Sequence, residues 1–131
     1  MTVFCAIRRY FSTWALLAAA SSASALPSSP SQQAEAFAIC AGRYAAQASQ
    51  STEFTQPRAN RAIFEDLLDA VLPAAEAYGM PKTHAANAKF QAWRDHAYLH
   101  NDANFATDPG RQARAAARLA RDISECDALV L

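Results

Sequence analysis

From Ser29 onward, apolar residues recur at alternating steps of three and four with polar residues between them. Ala34, Phe37, Ala41, Tyr44 and Ala48 therefore share one helical face, and Cys40 lies on its edge. Ser29 is placed to cap this helix, Pro30 suits its first position, and Gln32 is spaced to close a capping box. Most of the face is small, which predicts a neighbouring helix at close range. The polar run 47–56, followed by Pro57, should end the helix.

A second helix is predicted over 57–78. Ala59, Ile63, Leu67, Ala70 or Val71, and Ala74 or Ala75 form its inner face, flanked by Phe64, Leu68 and Leu72. Pro73 lacks a backbone donor and its ring crowds the preceding turn, which predicts a kink or a short break. Gly79 suits a left-handed C-cap, and Pro81 forbids simple continuation. Thr83 is the expected cap of a third helix reaching about Phe105. Ala86, Phe90, Trp93 and Ala97 are expected inward, with Lys89, Arg94 and Asp95 outward, and the pattern weakens across 100–104.

Asp108 and Pro109 open a fourth helix as N-cap and first residue. Ala113, Ala116, Ala117, Ala120 and Ile123 are its expected inner face, extended by Leu119, Cys126, Leu129 and Val130. No alternating run rich in valine or threonine is present, so a sheet has nowhere to form. The pattern predicts an all-α, antiparallel four-helix bundle with the second helix kinked at Pro73. In an up-down-up-down course the first and fourth helices are neighbours.

The first 25 residues read differently. Arg8 and Arg9 precede an apolar run from Tyr10 to Ala20, and Ala23-Ser24-Ala25 follows before Leu26-Pro27. This is the pattern of a secretory signal peptide cleaved after Ala25, too short for a comfortable membrane span of about 20 residues. Arg8-Arg9-Tyr10-Phe11 also carries the core of a twin-arginine signal. Ile7, Ser12 and Thr13 depart from that pattern, and general secretion is the expected route. Residues 26–131 then form a single helical domain, exported to the periplasm or the medium, with no stable membrane span once the signal is removed.

Export changes the reading of the cysteines. Loss of Cys5 with the signal leaves Cys40 and Cys126, and an oxidising compartment gives them one available pairing. Closing that loop stabilises the fold by ~4 kcal/mol in the chain-entropy picture. It also agrees with neighbouring first and fourth helices. Twelve basic and twelve acidic residues balance over the whole chain, and removing Arg8 and Arg9 leaves a slightly acidic, well-mixed remainder. Nothing in that balance predicts a nucleic-acid partner.

His96 and His100 are four apart, so both imidazoles leave one helical face and could share a metal ion. Asp95, Asn101, Asp102 and Asn104, or Glu65, Asp66 and Asp69 from the second helix, are the available third ligands. Arg111, Arg114, Arg118 and Arg121 make a basic stripe for an anion or an acidic partner, which Asp122 and Glu125 can partly neutralise at four-residue spacing. The acidic cluster Glu65, Asp66, Asp69 and Glu76 could face that stripe and set helix register. Trp93, Phe90, Tyr98 and Tyr44 could line an aromatic pocket, although this spacing also suits a core. Haem ligation would draw on His84, His96, His100 and Met80, but no Cys-x-x-Cys-His is present and no cofactor is expected. No nucleophile elbow, phosphate loop or paired metal-protease motif occurs, so enzymatic activity has no positive sign.

Ala38-Ile39-Cys40-Ala41-Gly42-Arg43-Tyr44, the amphipathic centre and the late Cys126 resemble small exported helical proteins of bacteria that have no assigned function. That resemblance implies the compartment and the disulfide, and no activity. The expectation is a non-enzymatic binding or structural module acting on a protein or envelope partner. The alternatives are a metal-binding protein using His96 and His100, and a stress-linked periplasmic holdase.

Overall fold

The computed structural model describes residues 27–50, 52 and 55–130. The expected signal segment 1–25 lies outside them. Among the described residues four helices follow one another: α1 (Pro30–Gln50), α2 (Thr55–Ala77), α3 (His84–Phe105) and α4 (Pro109–Asp127). Among the described residues no strand occurs, and no helix is long and apolar enough to cross a membrane.

Local chemistry sets the helix ends. Ser29 Oγ accepts from the Gln32 backbone N–H at 3.2 Å. Gln33 Nε2 donates to the Pro27 carbonyl at 2.8 Å, which ties the preceding chain to the first turn and is a different bond from the expected Gln32 capping-box reach. Gly79 closes α2 at φ +96°. The Met80 N–H bonds back to the Ala75 carbonyl and the Gly79 N–H to Glu76, the paired bonds of a Schellman end. Met80 turns into the core beyond that cap. Asp108 Oδ1 accepts from the Gly110 N–H at 2.8 Å, and Pro109 takes the first helical position. Thr83 stands before α3 in helical conformation and makes no side-chain cap. Its place is governed by the turn that joins His84 N–H to the Pro81 carbonyl. The weakly helical run 100–104 stays helical through Phe105, and α2 runs through Pro73 without a break.

α1 is the hub. It packs as extensively on α3 as on α2 and more lightly on α4, while α3 also packs on α4. Its burial reaches well beyond one stripe: Ala34, Phe37, Ala38, Cys40, Ala41, Gly42, Tyr44 and Ala46 are all enclosed. Against α2 the contact is made by large side chains. Phe64 stacks on Tyr44 at 5.8 Å between ring centroids and meets Phe37 at 6.3 Å, within the range where aromatic pairs attract beyond their area. Against α3 the contact is made by small ones. Gly42 lies so close to α3 that a Cβ there would collide with the Lys89 carbonyl oxygen and crowd Trp93 N and Ala92 Cβ.

That close crossing shifts the expected inner face of α3 by about one residue. Ala85 and His96 are buried and Ala88 and Ala92 half-buried, whereas Ala86 and Phe90 are exposed and Trp93 is 38% exposed. A ring has no room where backbones approach over a glycine, so alanines fill the seam and the aromatics turn outward. Lys89, expected outward, is instead half-buried and reaches Glu65 of α2 at 3.0 Å. On α2 the expected Ala75 is buried and Leu67 and Val71 pack on the core, but the inner face is centred on the flanking Phe64 and Leu68. Pro57, Phe64, Leu68 and Ala75 face inward and Ile63 is exposed, because Phe64 takes the space between Phe37 and Tyr44. In α4 the expected alanines 113, 116, 117 and 120 face solvent, and Ala115, Asp122 and Cys126 are buried.

The Cys40–Cys126 disulfide explains that last phase. The bond joins α1 to α4 with Cα atoms 5.6 Å apart. Stepping back from Cys126 by four, three and four residues gives Asp122, Leu119 and Ala115, the face that α4 turns inward. One covalent tie sets the rotation of the whole helix.

Candidate functional site

Around the disulfide, polar groups are drawn inward with it. Arg43, one turn beyond Cys40, donates from Nη1 to the Asp122 carbonyl at 2.9 Å and to Glu125 Oε2 at 3.2 Å, and its Nη2 lies 3.6 Å from Asp122 Oδ1. The adjacent Tyr44 hydroxyl donates to Asp127 Oδ1. Burial, and then the neighbouring Asp127 carboxylate, push the Tyr44 phenol up to about 12. Arg43 and Tyr44 thus bind the last turns of α4 on both sides of Cys126. Glu125, expected opposite Arg121, is taken by Arg43.

His96 lies just beyond this cluster, 2% exposed. Its Nδ1 is 3.9 Å from Asp122 Oδ2. His100 stands one turn further along α3, with ring centroids 5.2 Å apart and the rings edge to face. The same-face expectation therefore holds. Burial lowers His96 to about 4, helped by His100 and Arg43, and burial also lowers His100. Both imidazoles are shifted toward the neutral form. Three of the expected third ligands are committed elsewhere: Asp95 to Arg94, Asp102 to Arg111, and Glu65 to Arg61 and Lys89. Burial alone would raise Glu65, but its bonds to Lys89 and Arg61 outweigh this and hold it below the usual carboxylate range. Among the described residues, no group of three or more His, Cys, Asp and Glu side chains is arranged to hold a metal.

Two cavities open on either side of His96. A groove of about 450 Å³ runs along α1, α3 and α4, with Arg43, His84, His96, Arg118 and Asp122 in its walls. A smaller niche of about 180 Å³ is lined by Gln47, His96, His100, Leu119, Ala120 and Ile123. Gln47 Oε1, both ring nitrogens of His96 and Nε2 of His100 are buried with no protein hydrogen-bond partner. Each such atom costs about 1–3 kcal/mol when left unsatisfied.

The basic stripe of α4 is met by acids close to it. Arg111 grips Asp102 with two bonds of 2.8 and 3.0 Å, Arg114 lies 3.6 Å from Asp108, and Arg118 lies 3.8 Å from Asp122 as its spacing predicts. Among the described residues the backbone of α2 packs on α1 and not on α4, and Glu65 of the acidic cluster pairs with Lys89 of α3. The aromatic set also divides. Tyr44 is core, while Phe90 and Trp93 stack on the surface at 5.9 Å. Trp93 and Tyr98 line a shallow groove of about 420 Å³ with Arg94, Ala97 and Asn101. Met80 is packed in the core and His84 lies 3.6 Å from Glu35.

Sequence reasoning missed Gln47, Arg43 and the inward turn of Asp122. For Asp122 a signal existed, since it lies four residues before Cys126 on the face that the disulfide must turn inward. Gln47 carried no such signal. The chain matches no protein-family model, no curated protein and no solved structure, so its chemistry is read from its own geometry.

Proposed function

We propose that the chain is an exported, non-enzymatic binding module that docks a protein partner through the outer aromatic face of α3. The observation that carries this reading is the exposure of Phe90 at 56%, Tyr98 at 66% and Phe105 at 74% along one helix, with Trp93 stacked beside Phe90. Large rings held in water on a rigid helix, interleaved with Arg94 and Asn101, have the composition of an interface centre. The close α1–α3 seam supplies the rigidity.

The same reading places residues 1–25 as a signal peptide and the rest in the periplasm or the medium, in keeping with the disulfide. It takes the helices as an up-down-up-down antiparallel bundle flattened along the α1–α3 diagonal. In support, Glu35 meets His84 and Gly42 meets Ala92, pairs that advance together along the two helices. A bend of α2 at Pro73 completes it, since that residue removes one helical hydrogen bond.

A photoreactive residue at Tyr98, activated in cells making the full chain, is expected to give one discrete adduct with a protein partner. The double substitution Phe90→Ser, Trp93→Ser should abolish the adduct without changing the circular dichroism spectrum. Absence of any adduct, or an adduct indifferent to both substitutions, overturns the reading.

A further inference from the structure

The niche between α1, α3 and α4 gathers polar side-chain atoms that have no protein hydrogen-bond partner. Gln47 Oε1 comes from α1, and the His96 and His100 imidazoles come from successive turns of α3. Leu119, Ala120 and Ile123 of α4 close the opposite wall without offering a side-chain donor. Asp122 stands on the Nδ1 side of His96 at 3.9 Å. A carboxylate there favours the tautomer with the proton on Nδ1, leaving Nε2 as a bare lone pair. A single cation can take a lone pair from each of Gln47, His96 and His100 at once.

We propose that Gln47 Oε1 and the imidazole nitrogens of His96 and His100 form a binding site for a borderline divalent transition-metal cation of the Zn²⁺ and Cu²⁺ class. Imidazole nitrogens with an amide oxygen suit these ions and disfavour Ca²⁺ and Mg²⁺, which prefer all-oxygen shells. Nε2 of His96 and Nε2 of His100 have no protein hydrogen-bond partner that would compete with the ion. Asp122 acts as a positioning residue through His96, and solvent completes the shell. Spacing alone made the two histidines a pair. The third ligand comes from α1, across the helix seam, and the orienting carboxylate from α4. This site is independent of the aromatic face, so either can fail without the other.

The test uses the disulfide-bonded protein, purified without a histidine tag, stripped with EDTA and exchanged into buffer. Titration with ZnCl₂, and separately CuCl₂, is followed by calorimetry and native mass spectrometry. One bound ion per chain is expected, with no comparable binding of Ca²⁺. His100→Ala should weaken binding by about tenfold or more and Gln47→Leu by a smaller factor, with His84→Ala unchanged. The electron paramagnetic resonance spectrum of the Cu²⁺ form should show coupling to imidazole nitrogens, a readout that needs no variant to fold. An apo mass after titration, binding indifferent to His100→Ala, or a copper spectrum without nitrogen coupling overturns the site.

Discussion

The two long interfaces of α1 solve the same problem in opposite ways. Toward α2 the space is filled by rings, Phe37 and Tyr44 against Phe64. Toward α3 the space is removed, because Gly42 lets the backbones close until almost nothing stands between them. The first seam gains its strength from buried area and dispersion, the second from the absence of side chains. They should therefore fail to opposite substitutions: the α2 seam to removal of atoms and the α3 seam to addition.

The largest effect is expected at the ring seam. Phe64→Ala removes the side chain wedged between Phe37 and Tyr44 and should lower unfolding free energy by about 3–5 kcal/mol, read from denaturant titration. A loss below about 1 kcal/mol would mean that the ring seam is not where the stability lies.

Next comes acid, acting on the α3 side. In the folded chain His96 gains its proton only near pH 4, against an ordinary value of 6.5. Its folded value is depressed, so the unfolded chain binds the proton first as pH falls. Metal-free protein in chelator should hold its full stability above pH 6.5, then lose about 3 kcal/mol by pH 4 through this group. The groups facing it are His100, Arg43 and Asp122. Denaturant titrations at several pH values, compared with His96→Gln, isolate this part of the slope, and equal slopes in both proteins would remove His96 as its source.

The third effect is smaller in energy and sharper in meaning. Gly42→Ala adds one methyl group against the Lys89 carbonyl and should cost about 2 kcal/mol, within the usual range for overpacking. Alanine is the better helix former by about 1 kcal/mol, so a solvent-facing helical glycine would move the other way. A stabilised Gly42→Ala protein would show that the two seams are not built on different terms.

The same contrast explains what could be read from the chain alone. Helix ends were legible because they are local. Ser29, Gly79 and Asp108 each act on backbone groups within about one turn, and each acts as its residue type dictates. Helix phase was less legible because it depends on the neighbour. Phe90 and Trp93 carry the spacing of a core face, and only the narrowness of the α1–α3 seam turns them to water. In α4 the four-residue steps from Cys126 outweigh the alanine pattern, since a covalent bond fixes rotation more firmly than methyl groups do. The histidine pair was visible as spacing on one helix. Gln47 is 49 positions before His96 in the numbering and Asp122 is 26 after it, and neither separation has a sequence period to betray it.

The Cys40–Cys126 bond encloses a sequence span of 86 residues, and the connections α1–α2, α2–α3 and α3–α4 all fall within it. A protease that cuts any one of them opens the ring without releasing a piece. The nicked protein stays a single covalent particle with Cys40 still fastened beside Cys126, and only a reductant separates the halves. The first cut is a scar and not a death.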